Sequence, residues 1–312
     1  MRVLRLHLGS RPLRLGRPVI TIGNFDGVHL GHQKIIRRAK AVALARDENL
    51  AVISFDPHPV KVLAPDAGFR CISSLEQKLR DLAALGVDVV ALLRFDEALR
   101  RATPEEFATS VIAHSLAAGA VLVGPTFRFG HGRAGNFTRL EALGRTLGFD
   151  TRAVPPLRRG GAPVSSTRVR DAIVAGDVAL ATKLLGRPLT VEGAVVRGRG
   201  RGRAIGMPTA NLASQNELLP APGVYASRVS LDGTAWRGAT FIGEPLTFGQ
   251  RETVFETHIL DFPDRDLYGS RLAVSMVARL RGPVKFGSPA ELVAAIRQDL
   301  LRARRLVRLE AQ

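Results

Sequence analysis

Apolar positions along the first half of the chain switch between two spacings. Val19 to Gly23 is a short β-rich run, and His32 to Arg46 carries Ile35, Ile36, Ala39, Val42 and Ala43 at helical spacing. Ala51 to Phe55 reads as a strand stopped by Pro57 and Pro59. Ser73 with Glu76 predicts a capping box, opening a helix that runs to Leu85 and ends at Gly86. Asp88 to Arg94 and Ala120 to Val123 read as buried strands. Between them, Thr103-Pro104-Glu105-Glu106 combines an N-cap, proline at the first helical position and an acid at the third. Strands separated by helices predict parallel βαβ units and a doubly wound α/β sheet.

The pattern changes near residue 186. Two short helices, 167–175 and 177–185, lead into Gly186-Arg187-Pro188, which predicts a hinge. Beyond it come β-type runs at 190–197, 223–231, 235–243, 253–261 and 271–280, separated by Gly and Pro turns. Strands without intervening helices predict an antiparallel β-barrel. Ser288-Pro289-Ala290-Glu291 starts one closing helix, with Leu292, Ala295, Ile296, Leu300 and Leu301 as its apolar stripe. The expected organisation is two domains, 1–185 and 186–312, and a length of 312 residues agrees with that.

Charge adds a constraint. There are 45 basic against 28 acidic residues, a net +17, and thirty-nine of the basic residues are arginines against six lysines. Such a balance points to polyanionic partners: phosphorylated small molecules, nucleic acid or a membrane surface. Five arginines and no acid in the first 25 residues look like a transit peptide, but the strand at 18–25 places them beside folded protein. One cysteine, Cys71, excludes a disulfide framework and a Cys-cluster metal site. No apolar run reaches the ~18 residues of a membrane-spanning helix. A cytoplasmic location is expected, and nothing here decides for or against a homo-oligomer.

The chemistry begins where the first strand meets the first helix. Gly23-Asn24-Phe25-Asp26-Gly27-Val28-His29-Leu30-Gly31-His32 sits where a doubly wound sheet binds phosphates, outside a strand's carboxyl end at a helix N-terminus. Gly27 and Gly31 permit close backbone approach. His29 and His32, three apart, share a helix face and can donate to phosphate oxygens that gain charge during transfer. A metal pair is the alternative, although no third ligand stands nearby. Nucleotidylyltransferases and class I aminoacyl-tRNA synthetases share H-x-G-H. Ser165-Ser166-Thr167-Arg168-Val169-Arg170, at the start of a late helix, suits phosphates, and no Lys-Met-Ser-type loop appears.

These pieces, with SFDPHP (54–59) and VGPTFRFGHGRAGN (123–136), resemble in order and spacing the FAD synthetase half of bacterial bifunctional riboflavin kinase/FMN adenylyltransferases. The resemblance covers nearly the whole chain. It implies that the first domain joins FMN to the AMP of ATP and releases pyrophosphate. It also implies that Gly23, Phe25, Gly27, His29, Gly31, His32, Ser165, Ser166, Thr167, Arg168 and Arg170 form the ATP site. Phe55, Pro57, His58, Thr126 and Phe127 would form the flavin side. Thr126 stands where the family usually has Asp or Asn.

In the second half, VVRGRGRGRAIGMPTAN (195–211) reads by itself as an RGG-like nucleic-acid segment, a solvated turn or a phosphate loop. The following Pro208-Thr209-Ala210-Asn211 resembles the flavokinase signature. The resemblance implies phosphate binding by Gly198, Gly200, Gly202 and Arg203, Mg²⁺ ligation by Thr209 and Asn211, and Glu256 as the base that takes the ribityl hydroxyl proton. Asp299 and Arg302 would serve the flavin. Phe241-Ile242-Gly243-Glu244 departs from the family's Asn-Ile-Gly and following Arg. The expected partners are riboflavin, FMN and ATP, with no nucleic acid or membrane. The alternatives are an adenylyltransferase with a weak or inactive kinase domain, and a basic RNA-binding or flavin-sensing regulator.

Overall fold

The computed structural model describes residues 1–198, 202, 206–244, 253–263 and 265–309. Gly200 and Arg203 of the expected phosphate loop lie outside the described residues, as do Arg199 and Arg201. Contacts group the chain into two compact units, Met1–Ser165 and Ser166–Gln312. The two short helices before residue 186 therefore belong by contact to the second unit. Among the described residues, no helix is long and apolar enough to cross a membrane.

The first unit is built on a six-stranded parallel sheet. Its strands are β1 (Arg2–Leu6), β2 (Val19–Ile22), β3 (Leu50–Asp56), β4 (Val89–Arg94), β5 (Ala120–Val123) and β6 (Asp150–Ala153), in the order β1-β4-β3-β2-β5-β6. Between them run α1 (Leu30–Ala45), α2 (Pro59–Leu63), α3 (Leu75–Ala84), α4 (Glu97–Arg101), α5 (Pro104–Phe107) and α6 (Phe137–Leu147). α5 continues into a π-helical segment, Ala108–Ser115.

Strand residues alternate between two cores, as a period of two requires. Ile20, Ile22, Ala51, Ile53, Val121 and Val123 pack with Phe107, Val111, Ile112 and Leu140 on one face. Val19, Leu50, Val52, Val90, Ala120 and Leu122 pack with Ile36, Ala39, Val42 and Leu82 of α1 and α3 on the other. Both faces are covered, so the central strands are apolar on both sides. The order reverses between β2 and β5, which makes their carboxyl ends the sheet's topological switch point.

Two details differ from expectation. The cap of α3 is Ser74 with Gln77, not Ser73 with Glu76. Ser73 is otherwise engaged: its hydroxyl accepts from the Gly27 N–H at 3.2 Å and its own N–H donates to Asp26. Strands β1 and β6 and helices α2, α4 and α6 are additional elements. Thr103 caps α5 with Pro104 at its first position, as expected, and Glu106 completes a capping box with Thr103.

The second unit opens with α7 (Ser166–Val174) and α8 (Val178–Leu185). A further pair, β7 (Arg158–Arg159) and β8 (Ala162–Pro163), belongs to the first unit. The strands of the second unit are β9 (Leu189–Val196), β10 (Ala210–Ser214), β11 (Gly223–Leu231), β12 (Thr234–Gly243), β13 (Val254–Ile259) and β14 (Arg271–Arg281), closed into an antiparallel barrel in the order β10-β13-β12-β11-β14-β9. Inside the barrel Ser227, Thr240 and Thr257 are fully buried and join their hydroxyls at 2.7 and 3.0 Å. The closing helix α9 (Pro289–Leu306), capped by Ser288, lays Ala303 and Val307 on a cluster of Val224, Ala226 and Leu280. Its stripe is not wholly covered: Leu301 remains 50% exposed, because the helix turns Asp299 and Ala303 inward instead.

Candidate active sites

The first site grows from the carboxyl end of β2. The Gly23 N–H donates to the Ile53 carbonyl at 3.1 Å, which ties the loop's start to β3. Phe25 and Val28 adopt left-handed backbone angles (φ 48° and 38°) around Gly27 (φ 77°). At Gly27 a side chain is excluded twice, by this φ and by Ile72 Cγ2, 2.9 Å from where a Cβ would stand. Buried Asp26 holds the curled loop: its carboxylate accepts from the Ile72 N–H at 2.9 and 3.1 Å and from the Ser73 N–H at 3.3 Å. Asp26→Ala would leave these buried donors without their acceptor. The expected loss of stability is about 2–4 kcal/mol, read as a lower midpoint in urea.

His29 caps α1, its Nδ1 accepting from the His32 N–H at 3.2 Å. The two imidazoles stack with centroids 3.7 Å apart and planes 13° from parallel, and Phe25 lies 5.0 Å from the His32 ring. Gly31 occupies the first turn between them. His32 Nδ1 is buried with no hydrogen-bond partner among the described residues. Burial first, then His29 and Lys78, hold the His32 imidazole well below its ordinary value. The ring is neutral near pH 7, able to turn one nitrogen as donor and the other as acceptor.

Two further loops leave the same edge of the sheet. Phe55 ends β3 in edge-to-face contact with Phe95 at 5.9 Å, and the Asp56–Pro57 peptide is cis. His58 caps α2 through Nδ1 and stacks on Phe69 at 4.4 Å. After β5, Thr126 is exposed, while Phe127 stacks on core residue Phe129 at 5.4 Å. The strands' shared direction thus brings the 23–32, 55–58 and 124–129 segments to one end of the sheet. Ser165 ends the first unit, and Ser166, Thr167, Arg168 and Arg170 form the opening turns of α7 in the second.

One residue at this edge escapes a reading of the sequence. Lys78 on α3 is buried, and its Nζ donates to Ser54 Oγ at 3.4 Å. Ser54 Oγ in turn donates to the Asn24 carbonyl at 3.1 Å. A lysine in an amphipathic helix ordinarily reads as a solvent-facing charge. The available signal is its rarity, one of six lysines among thirty-nine arginines.

The second site lies on the outer face of the barrel. Asn211 of β10 and Phe241 of β12 are both direct register partners of Glu256 on β13. Directly paired residues share a face, so the three form one row. The alternation Phe255, Thr257, Ile259 buried and Glu256, His258 half-buried confirms that this face points outward. Thr209 lies two residues before Asn211, just ahead of the first residue of β10. A Cβ on Gly198 would run into the Asn211 carboxamide, so a larger residue there would displace that side chain. The Gly202 carbonyl accepts from the Met207 N–H at 2.8 Å. Asp299 is buried and paired with Arg281 at 2.8 Å, and Arg302 donates to the Leu280 carbonyl at 3.1 Å. Both therefore anchor α9 to β14.

Fold and geometry together give a two-part chain with two candidate centres, one at the switch point of a doubly wound sheet and one on a closed barrel, the layout of a two-activity transferase. Comparison with known proteins makes the class specific. The family model for FAD synthetase matches residues 13–168, and that for riboflavin kinase matches residues 185–307. The bifunctional riboflavin kinase/FMN adenylyltransferase of Escherichia coli K12 is 38% identical over 92% of this chain and 91% of its own length. That of Bacillus subtilis 168 is 34% identical over 91% and 90%. A crystal structure of a Streptococcus pneumoniae protein named as a macrolide-efflux protein superposes with a TM-score of 0.89 at 32% identity, covering 97% of this chain and 99% of the other. The chain belongs to the bifunctional riboflavin kinase/FMN adenylyltransferase family.

Proposed function

We infer that this chain phosphorylates riboflavin with ATP to give FMN, and transfers AMP from a second ATP to FMN to give FAD and pyrophosphate. The observation that carries the reading is that both family models match, in order, a chain that folds as a nucleotide-binding sheet followed by a flavokinase barrel.

For adenylyl transfer, the FMN phosphate attacks the α-phosphorus in line and pyrophosphate leaves. No covalent enzyme intermediate is needed, so the protein's task is positioning and charge stabilisation. We assign His29 and His32 to the phosphate oxygens at the α1 start. The Gly23–Gly31 backbone and Ser165, Ser166, Thr167, Arg168 and Arg170 would complete phosphate binding. Phe55, Pro57, His58, Thr126 and Phe127 would face the flavin. The functional first domain is proposed to run to about residue 185, since α7 carries part of its motif.

For the kinase, Glu256 would take the proton of the ribityl 5′-hydroxyl as its oxygen attacks the γ-phosphorus. The Thr209 hydroxyl and the Asn211 carboxamide oxygen, the latter in a residue paired in register with Glu256, would offer neutral oxygens of the kind Mg²⁺ prefers. Bound with ATP, Mg²⁺ would neutralise triphosphate charge. Gly198, Gly200, Gly202 and Arg203 are proposed for the phosphates, and Asp299 and Arg302 for the edge of the flavin site. The cytoplasm is the proposed location, and no nucleic-acid partner is proposed.

A second reading, a weak kinase beside a competent adenylyltransferase, is favoured by Phe241. This apolar ring is the register neighbour of Glu256 and packs toward the α9 cluster. Incubation of purified protein with riboflavin and Mg-ATP separates the two. Accumulation of FMN and then FAD is the expected result; FAD formed from supplied FMN alone would establish the weak kinase. Neither product from either substrate would overturn the inferred function.

A further inference from the structure

Beneath the first-domain loop lies a buried charged cluster that the chemistry above does not use. Lys78 projects from the covered face of α3 and is 7% exposed. Its Nζ reaches Ser54 Oγ at 3.4 Å, and Ser54 holds the Asn24 carbonyl at 3.1 Å, so an ammonium under the sheet edge is linked by one hydroxyl to the phosphate loop. The groups facing it are Asp26 of the loop, Asp56 at the end of β3, Cys71 before α3 and His32 of α1. Asp26 accepts from the Ile72 and Ser73 N–H groups, so its charge also holds the loop.

We propose that Lys78 is the positioning residue that couples the Gly23–His32 loop to the charge of the incoming triphosphate. It steadies the Asn24 end of the loop through Ser54 and supplies the buried positive charge that the polyanion meets there. The proposal rests on the adenylyltransferase reading of this site. Three physical points support it. An ammonium buried this deeply is costly unless compensated, and a triphosphate at the loop would compensate it. Burial lowers the Lys78 value from its ordinary position, against the raising effect of Asp26, Cys71 and Asp56. The neighbouring His32 is held neutral, so it does not duplicate the charge. A lysine can also yield its proton when the site is empty, which arginine, this chain's usual cation, cannot.

The sign of the pH dependence follows. In the ligand-free protein the lowered value makes the amine lose its proton earlier than a free lysine as pH rises. An arriving polyanion favours the charged form and restores the proton from solvent. ATP affinity at this site therefore weakens on the alkaline side, at lower pH than an unperturbed lysine would set.

The test is the KM for ATP in FMN adenylylation, measured against pH for wild type, Lys78→Met and Lys78→Arg. Wild type should show KM rising toward the alkaline end. Lys78→Met should raise KM on the order of tenfold or more near neutrality and abolish the pH dependence. Lys78→Arg should restore KM near neutrality and hold it flat to higher pH. Riboflavin phosphorylation in the same samples reports whether the chain is intact. Should Lys78→Met fail to fold, the flat profile of Lys78→Arg decides. Wild-type KM and pH dependence in either variant, or a loss confined to kcat, would overturn the proposal. A wild-type chain that makes no FAD from FMN would instead overturn the activity reading beneath it.

Discussion

His32→Ala is expected to lower FMN adenylylation by on the order of 10²–10³-fold while riboflavin phosphorylation by the same chain is preserved. The reasoning starts from the ring's surroundings. His32 lies on the first turn of α1, stacked at 3.7 Å on His29, with a buried Nδ1 that lacks a partner among the described residues. Leaving a polar nitrogen unmatched in a buried position costs free energy in the resting fold. A phosphate oxygen would supply the missing match only when substrate is bound. If the oxygen gains charge during transfer, the bond strengthens in the transition state, and the effect falls on kcat. Alanine removes the bond together with the stacking against Phe25 and His29. Far-UV circular dichroism and the kinase rate should therefore accompany the assay. An adenylylation rate within about twofold of wild type would remove His32 from the chemistry.

Glu256→Gln should produce the mirror image. The substitution keeps the shape and the β13 register but removes the carboxylate that can accept a proton. Riboflavin phosphorylation should fall by on the order of 10²–10⁴-fold, whereas FAD formation from supplied FMN should stay at the wild-type rate. Glu256 shares its row with Asn211 on one side and Phe241 on the other, so little else rearranges when charge alone is lost. With riboflavin as the only flavin, neither FMN nor FAD should accumulate. A glutamine variant that phosphorylates riboflavin normally would end the assignment of Glu256 as base. Taken together, the two variants should split one chain into two independently silenced activities.

Several elements were legible because local and long-range forces agree on them. Ala120–Val123 and Gly223–Leu231 are strands with the predicted bounds, since their apolar runs are closed by Gly and polar turns. The Thr103 and Ser288 helix starts also stand where read, because capping is decided within four residues. Others depended on distant partners. Strand β1 buries one residue well, Leu6, and exists through its parallel pairing with β4. The expected cap of α3, Ser73, is claimed by Asp26 and Gly27, and the next serine, Ser74, caps the helix instead. The helix at 137–147 carries its own local signals, Asn136 as cap and Gly148 at the end.

By itself the sequence determined the two-part plan, the glycine- and histidine-rich strand-to-helix junction at residues 23–32 and the order of Thr209, Asn211 and Glu256 along the chain. These are matters of order, spacing and residue chemistry within short segments. Tertiary structure alone decided which side chains lie together. Strand register brought Glu256 between Asn211 and Phe241 from 45 and 15 residues away. Parallel pairing gathered the 23–32, 55–58 and 124–129 segments at one edge. Packing of α3 turned an unremarked lysine into a buried charge under the first of them. The physical reason is the same in each case: hydrogen-bond register and burial are set by partners far along the chain, and a pattern read a dozen residues at a time does not contain them.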